Sequence, residues 1–253
     1  MTTLPPPAFL TVGEGSAARR IAHRRIEGRG PTIVWLGGFK SDMKGTKAEA
    51  LSEFAAATGR AFLRFDYSGH GESDGAFEDG TISRWAEEAA AMVALAGERP
   101  LLVGSSMGGW IALLVARQMA TPPAGMVLIA PAPDFTEALM WPFFPDAVKR
   151  QIETEGRWVR PSAYDKGGYP ITRALIEDGR RNLVLTGLVE TGCPVHILQG
   201  MDDPDVPWRH AMLLAEKMAR DDVVVTLIKD GDHRLSREED LQRLRDAVET
   251  LAG

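Results

Sequence analysis

The sequence predicts an α/β protein whose central sheet is mostly parallel and covered by helices on both faces. Along most of the 253 residues, short apolar runs rich in Val, Ile, Leu and Phe alternate with segments of helical length. Such alternation is typical of parallel strands under a helical cover. Several runs are apolar at nearly every position, which indicates strands buried on both faces. Sites in such sheets form at the carboxyl ends of the strands, so function is to be sought in the loops that follow the runs.

Six apolar runs are predicted to be strands, and five longer segments are predicted to be helices. The strands are expected at residues 32–36, 61–65, 101–103, 125–129, 195–198 and 223–228. The helices are expected at residues 47–57, 82–96, 109–120, 209–219 and 238–251. We interpret residues 1–253 as a single domain of this class.

Residues 131–191 interrupt the alternation. No run in this segment has the pattern of a core strand, and residues 140–145, MWPFFP, bring aromatic side chains and prolines together. We interpret the segment as a small lid inserted into the domain rather than as a second domain.

The charge balance argues against a nucleic-acid partner. The chain has 29 Lys and Arg residues against 35 Asp and Glu residues, which gives a formal net charge of −6. Nucleic-acid binding requires a clustered basic face. The densest basic run, residues 19–29, contains a plausible strand, and its charges are expected on a solvated side.

Cysteine content and hydrophobicity limit the remaining classes. The single cysteine, Cys193, allows neither an intrachain disulfide nor a cysteine-based zinc site. It precedes Pro194 in an apolar run and is expected to be an inert, buried thiol. The first residues lack the basic start and apolar stretch of a signal peptide, and no apolar run approaches the roughly 18 residues that cross a bilayer. We therefore expect a cytoplasmic protein that does not span a membrane.

The most informative motif is GSSMG at residues 104–108, which follows the predicted strand 101–103 directly. It matches G-x-S-x-G, and its register makes Ser106 the central serine rather than Ser105. The pattern needs glycines because the serine occupies a strained strand-to-helix turn in which side chains would clash. An almost wholly apolar helix follows the motif, as this turn requires. Ser106 is therefore predicted to be a nucleophile, which needs a neighbouring base to take its proton.

Five histidines are candidates for that base, and chain order separates them. Enzymes built on this turn carry serine, acid and histidine in that order, so His23 and His70 come too early. His196 lies within an apolar strand and is expected in the core, and His210 lies in a predicted helix. His233 follows the last predicted strand and precedes the last helix, where the base is expected.

The acid is expected in the loop after the preceding strand. Residues 199–207, QGMDDPDVP, offer three aspartates there. The segment fits G-x-x-D-x-x-V-P, a pattern that many enzymes built on this turn carry. The pattern selects Asp203, with Asp205 and then Asp202 as alternatives. A carboxylate in this position fixes the imidazole tautomer and stabilises the imidazolium.

Two backbone amides are predicted to bind the oxyanion that forms when the serine attacks a carbonyl. The turn directs the Met107 amide at the reaction centre. The second donor is expected in the loop after the first buried strand, where Gly37 and Gly38 let the backbone approach closely. The Phe39 amide is the candidate, although the two glycines are also compatible with a simple tight turn.

From about residue 17 to its end, the chain resembles the α/β-hydrolase superfamily. Within it, the chain is similar to the branch of the mitochondrial palmitoyl-protein thioesterases, which also hydrolyse acyl glucuronides, and looks like a bacterial-type member. The matching stretches are WLGGFKSDMKGTKA from Trp35, RFDYSGHGESDG from Arg64, GSSMGGW from Gly104, GMDDPDVPW from Gly200 and DHR from Asp232. The resemblance implies the α/β-hydrolase fold and a catalytic triad of Ser106, Asp203 and His233.

Two positions depart from the family pattern. Many members carry His-Gly where this chain has Gly37-Gly38 and Gln199-Gly200. The first change could alter how the loop that carries the predicted oxyanion donor Phe39 is held in place. The lid is the part of the chain least similar to the family, and the lid largely decides the substrate. The resemblance therefore supports activity on acylated proteins less strongly than it supports the catalytic chemistry.

The expected activity is hydrolysis of carboxylic esters or thioesters through an acyl-enzyme, as in carboxylesterases and palmitoyl-protein thioesterases. The expected partners are a small ester or S-acyl molecule or an acylated protein, and no metal or organic cofactor is expected. Trp141, Phe143 and Phe144, with Met140, either line an acyl-binding pocket or only hold the lid to the body.

The motif leaves other activities open. An acyltransferase, a peptidase or a carbon–carbon bond hydrolase uses the same turn, whereas dehalogenases and epoxide hydrolases of this fold carry aspartate at the position of Ser106. A binding protein on a retired hydrolase scaffold is the alternative of a different class. A retired site is expected to have lost a triad member, and none is missing here.

Overall fold

The computed structural model describes residues 6–161, 167–218 and 222–253. Its strands are β1 (Ala8–Val12), β2 (Arg19–Ile26), β3 (Arg29–Leu36), β4 (Arg60–Phe65), β5 (Leu101–Ser105), β6 (Gly125–Ile129), β7 (Arg157–Arg160), β8 (Tyr169–Thr172), β9 (Val195–Gly200) and β10 (Val223–Ile228). Its α-helices are α1 (Thr46–Thr58), α2 (Ile82–Leu95), α3 (Met107–Ala116), α4 (Asp146–Glu155), α5 (Arg173–Arg181), α6 (Trp208–Lys217) and α7 (Glu238–Ala252). The six predicted strands and five predicted helices are among them. Strands β6 and β10 have the predicted bounds, and the other elements have shifted ends. The predicted end of one helix, Ala219, lies outside the described residues.

Eight strands form one sheet in the order β1-β2-β4-β3-β5-β6-β9-β10. The strands from β4 to β10 in this order pair in parallel, and β1 and β2 add an antiparallel edge. The predicted mostly parallel α/β class is confirmed. In a parallel sheet all the carboxyl ends lie at one edge, and this geometry brings the loops after β3, β5, β9 and β10 together.

Two apolar clusters cover the sheet, one on each face. The larger contains α2 and α3 side chains such as Trp85, Trp110 and Ile111. The other contains α1 and α7 side chains such as Leu51 and Val248. Strands β5 and β6 are buried at every residue, which explains the apolar runs at residues 101–103 and 125–129.

Between β6 and β9, the described residues add no strand to the main sheet. A π-helix (Thr136–Met140) and a 3-10 helix (Trp141–Phe143) precede α4, and β7 pairs with β8 in a separate antiparallel sheet. Ile152, Ile171 and Ile176 form a third apolar cluster there. The segment also contributes buried side chains such as Phe135, Leu175 and Val184 to the larger core. The lid interpretation stays a prediction.

The basic run at residues 19–29 does not leave all its charges in solvent, contrary to the expectation. Arg19, at the start of β2, is buried, and its guanidinium pairs with the fully buried Glu88 and with Glu87 on α2. The expectation failed here because the charged partner is 69 residues away in the chain. Cys193 is buried, as expected. Among the described residues, no helix has both the length and the apolar character to cross a membrane.

Candidate active site

Ser106 occupies a strained turn between β5 and α3. Its φ is 54° and its ψ is −116°, a conformation that is costly for a residue with a side chain. A Cβ on Gly108 would lie 2.0 Å from the Leu36 carbonyl oxygen, and one on Gly104 would lie 2.5 Å from the Gly108 carbonyl oxygen. Both glycines of the motif are therefore required by close backbone approach.

Neighbouring backbone holds Ser106 in this conformation. Its amide donates to the Ile129 carbonyl at the end of β6 over 2.9 Å, and its carbonyl accepts from the Ala132 amide over 3.1 Å. Both bonds come from the adjacent strand and its loop. The strain is thus balanced by contacts made only when β5 and β6 are paired.

The structure brings Ser106, His233 and Asp203 together. The Nε2 atom of His233 lies 3.1 Å from the Ser106 Oγ atom, and its Nδ1 atom lies 2.8 Å from the Asp203 Oδ2 atom. When Nδ1 carries the ring proton and donates to the carboxylate, Nε2 is free to accept the hydroxyl proton. The arrangement can therefore deprotonate Ser106.

Asp203 is held in a fixed orientation by the loop after β9. Its Oδ1 atom accepts from the Asp205 and Val206 amides, each over 2.8 Å, while Oδ2 faces the imidazole. Asp202 and Asp205 are exposed, and the Asp205 side chain lies 4.0 Å from Arg160. The geometry favours Asp203 over the two alternatives.

Gln199 supports this loop and was noticed in the sequence only as a departure from the family pattern. It is fully buried at the end of β9. Its Nε2 atom lies 3.2 Å from the Asp203 Oδ2 atom and 3.0 Å from the Val206 carbonyl oxygen. The next residue, Gly200, has no room for a side chain, because a Cβ there would lie 2.2 Å from the Gly231 carbonyl oxygen. The loops that carry Asp203 and His233 therefore meet at this point.

Lys47 holds the loop that carries the histidine. Its Nζ atom donates to the Arg234 carbonyl, next to His233. Asp232 accepts from the Arg234 amide over 3.0 Å and from the Leu235 amide over 2.9 Å. Burial, opposed mainly by nearby aspartates, lowers the pKa of Lys47 to about 8, so the ammonium form prevails at neutral pH. Lys47 belongs to the GTKA stretch, which the sequence marked without assigning a role.

Of the two predicted oxyanion donors, Met107 follows Ser106 directly in the chain and Phe39 lies in the loop after β3. Met107 begins α3, where amide groups lack helical partners. Gly38 is so close to the serine that a Cβ on it would lie 3.5 Å from the Ser106 Cβ atom. Phe39 follows, and its ring packs edge-on against Phe77 with centroids 4.9 Å apart. That Phe39 and Met107 bind the oxyanion stays a prediction.

The three aromatic residues predicted to contact substrate have different environments. Trp141 and Phe144 are half-buried and pack against the third apolar cluster, with their ring centroids 6.4 Å apart. Phe143 is 76% exposed. Met140 packs both on this cluster and on the larger core. That Trp141, Phe143 and Phe144 contact the substrate stays a prediction.

Among the described residues, Asp203, Asp205 and His233 place ligand-type atoms within 4.8 Å of one another. Two of these residues are hydrogen-bonded to each other, through the His233 Nδ1 and Asp203 Oδ2 atoms.

A serine on a strained strand-to-helix turn, beside a carboxylate-paired imidazole at the carboxyl edge of a mostly parallel sheet, is the arrangement of an α/β hydrolase. The chain belongs to the alpha/beta hydrolase family, whose family model matches residues 33–247.

Specific relatives agree with this assignment. The chain is 35% identical over 246 residues, 96% of its length and 82% of the relative's, to the mitochondrial palmitoyl-protein thioesterase ABHD10 of Mus musculus. The solved structure of alpha/beta hydrolase domain-containing protein 10 from mouse is 33% identical, with a TM-score of 0.86 and 98% of both chains covered. A putative hydrolase from Agrobacterium vitis S4 is 50% identical, with a TM-score of 0.95 over 99% of this chain and 100% of that one.

Proposed function

We propose that this hydrolase is a serine esterase or thioesterase that cleaves carboxylic ester or thioester bonds through an acyl-enzyme. The observation that carries the proposal is the bridging of Ser106 and Asp203 by the His233 imidazole, at 3.1 and 2.8 Å. A serine hydroxyl is a weak nucleophile until such a base takes its proton.

In the proposed mechanism, the Ser106 oxygen bonds to the substrate carbonyl carbon while its proton moves to His233 Nε2. Asp203 stabilises the resulting imidazolium without becoming protonated. The Met107 and Phe39 amides donate to the oxyanion, an interaction that is typically worth about 3–4 kcal/mol per donor. The carbon–oxygen or carbon–sulfur bond then breaks, and the leaving alcohol or thiol takes the proton from His233.

Water completes the cycle by the same route. It attacks the acyl-enzyme carbonyl as His233 takes one of its protons, and the collapse of the intermediate returns that proton to the serine oxygen and releases a carboxylic acid. We propose no cofactor, because the three side chains and two amides account for every proton and charge in these steps.

The relatives support thioesters among the substrates. The mouse relative is named a palmitoyl-protein thioesterase, so we propose a small ester or S-acyl molecule, or an acylated protein, as the substrate. The cytoplasmic location stays a prediction, since that relative is named as mitochondrial.

Ser106→Ala tests the nucleophile, with Ser105→Ala as a matched control one residue away. A fluorophosphonate probe is expected to label wild type and Ser105→Ala and to leave Ser106→Ala unlabelled, because the probe bonds to an activated serine oxygen. Persistent labelling of Ser106→Ala would rule out the assignment.

A substrate panel tests the reaction class. Steady-state rates on esters and thioesters with acyl chains from acetyl to palmitoyl are expected to exceed the rates on matched amides. Faster turnover of amides would favour a peptidase, transfer to an added alcohol in preference to water would favour an acyltransferase, and ligand binding without turnover would favour a retired scaffold.

A further inference from the structure

The loop between β3 and α1 passes beside the nucleophile in a strained conformation. We refer to residues 37–41 as the oxyanion loop. Its Gly38 approaches Ser106 closely, as described above, and Lys40 has a φ of 61°. A residue with a side chain adopts this left-handed conformation at a cost, which surrounding contacts must offset.

Ser41 orients the peptide that contains the Phe39 amide. The Gly38 carbonyl accepts from the Ser41 amide over 3.2 Å and from the Ser41 hydroxyl over 2.9 Å. Because the Gly38–Phe39 peptide is planar and trans, its N–H points away from its carbonyl. The Phe39 amide is therefore directed to the side opposite Ser41.

The next peptide of the loop is held by His70, from the loop after β4. The Lys40 amide lies 3.1 Å from the His70 Nε2 atom, and the His70 Nδ1 atom lies 3.1 Å from the Ser68 carbonyl oxygen. An amide can only donate and a carbonyl can only accept, so the ring carries its proton on Nδ1 and accepts at Nε2. Only the neutral imidazole can make both bonds.

The surroundings of His70 keep its ring in place. It is 4% exposed and packs edge-on against Phe77 and Trp85, with ring centroids 5.1 and 5.3 Å away. Its acceptor, the Ser68 carbonyl, also accepts from the Trp85 indole over 3.2 Å. Burial lowers the pKa of His70 to about 4, which keeps the ring neutral across the physiological range.

We propose that His70 is a positioning residue: its neutral imidazole accepts from the Lys40 amide and thereby holds the oxyanion loop with the Phe39 amide ready to donate to the oxyanion. The inference rests on the proposed function, because it assigns His70 to the same reaction. It also identifies what holds a loop that has Gly37 where many family members have a histidine.

Two substitutions separate positioning from packing. His70→Phe keeps a ring in the aromatic site but removes the acceptor, whereas His70→Gln loses the ring but offers an amide oxygen to the Lys40 amide. We expect kcat of His70→Phe on an S-acyl substrate to fall about 30- to 100-fold with KM within about threefold, since a misplaced oxyanion donor acts on the transition state. We expect His70→Gln to remain within about fivefold of wild type.

The reverse order would overturn the proposal, because a purely packing role predicts that Phe is tolerated better than Gln. Equal losses in both variants, or a change confined to KM or to melting temperature, would overturn it too. His196→Phe and His196→Gln are the matched controls. His196 lies near the start of β9, away from the carboxyl edge of the sheet, and its ring is hydrogen-bonded to Thr226. Both variants are expected to retain activity. Absence of turnover and of fluorophosphonate labelling in wild type would instead contradict the proposed function.

A measurement on the wild type covers the case in which His70→Phe does not fold. Imidazole ¹⁵N chemical shifts in two-dimensional NMR distinguish the Nδ1–H tautomer from the commoner Nε2–H tautomer. The His70 ring is expected to be neutral and protonated on Nδ1 from pH 6 to 8, and the Nε2–H tautomer would overturn the proposal.

Discussion

At the scale of the residue, the site depends on atoms that can play only one hydrogen-bonding role. Asp203 uses Oδ1 for two backbone amides and Oδ2 for the imidazole. His70 accepts a hydrogen bond from the Lys40 amide at Nε2 and donates one to the Ser68 carbonyl from Nδ1. Such side chains fix tautomers as well as positions, and substitutions that conserve shape but exchange donor and acceptor therefore have large expected effects.

Asp203→Asn is expected to lower kcat about 10³- to 10⁴-fold with little change in melting temperature. The two loop amides hold the asparagine oxygen in the place of Oδ1, so the side-chain NH₂ faces His233 Nδ1. That nitrogen must then accept, and the proton moves to Nε2, where the ring can no longer take the Ser106 proton. Asp202→Asn, at an exposed neighbour, is the control and is expected to stay within threefold in steady-state assays. A loss in the control but not in Asp203→Asn would contradict the assignment.

The lowered pKa of His70 predicts an acid-dependent loss of stability. The pKa falls from the ordinary 6.5 to about 4 in the folded protein, mainly through burial; the hydrogen bond to the Ser68 carbonyl opposes this shift, Lys40 adds to it, and Asp42 opposes it. Between pH 4 and 6.5 the His70 side chain is therefore protonated in the unfolded chain but neutral in the folded protein. The contribution of the neutral His70 to the free energy of unfolding is fully present above pH 6.5 and is lost as the pH falls to 4. The loss amounts to about 3 kcal/mol.

Urea unfolding of wild type and His70→Gln at pH 7, 5.5 and 4.5 measures this effect. Because glutamine does not titrate, the stability advantage of wild type over the variant is expected to shrink as the pH falls. A constant difference across the series would show that His70 titrates normally in the folded protein.

At the scale of the element, helix α2 is tied to β2 and to the loop after β4 through one buried carboxylate. Glu88 is fully buried; it pairs with Arg19 and accepts from the Ser68 amide over 2.8 Å. The Ser68 carbonyl in turn fixes His70. The antiparallel edge of the sheet thus supports the loop that holds the oxyanion loop.

Arg19→Met is expected to destabilise the protein by about 3–5 kcal/mol, because it leaves the Glu88 carboxylate buried without its main partner. Adding Glu88→Gln is expected to recover more than half of the loss, since a neutral amide oxygen still accepts from Ser68. Urea denaturation measures both. Arg20→Met is the matched control, because the Arg20–Asp74 pair is exposed and is expected to matter little. An equal effect of the two arginine substitutions would contradict the argument.

The sequence predicted those elements whose residue pattern is dominated by burial. Strands such as β5 and β6 are buried throughout, so their apolar runs are unambiguous. Strand β1 was missed because it is a five-residue edge strand with mostly exposed side chains. Strands β7 and β8 have only four residues each, and α5 has only nine, so none of them forms a run as long as those of the core strands and helices.

The three side chains that the structure brings together were predictable from motifs and from their places in the chain. Ser106 was chosen from its glycines, Asp203 from the pattern of the loop after its strand, and His233 from chain order; their catalytic roles stay predictions. His70 and Gln199 could not be assigned, since their roles depend on partners brought together by the fold. His70 lies in the RFDYSGHGESDG stretch that resembles the family, and its place before Ser106 excludes it as the base. Chain order does not indicate which residues hold the oxyanion loop in position.

At the scale of the whole molecule, substrate choice is expected to depend on where the 131–191 segment meets the body. Met140 and Phe39 both pack on the larger core and on the third apolar cluster. Phe39 is also adjacent to Gly38, which touches the nucleophile turn. An acyl chain that leaves Ser106 toward the segment would therefore run along this boundary, where apolar contact grows with chain length.

Met140→Trp is expected to narrow that boundary and to discriminate by acyl length. We expect kcat/KM for a palmitoyl thioester to fall at least about tenfold while an acetyl ester stays within about threefold, because one wrongly filled apolar contact is typically worth about 1–3 kcal/mol. Val224→Ser, at an exposed position on the edge strand β10, is the control and is expected to change neither rate. Equal losses for both substrates would instead mean that Met140 supports the fold near Phe39, and the acyl chain would have to leave the nucleophile by another face of the site.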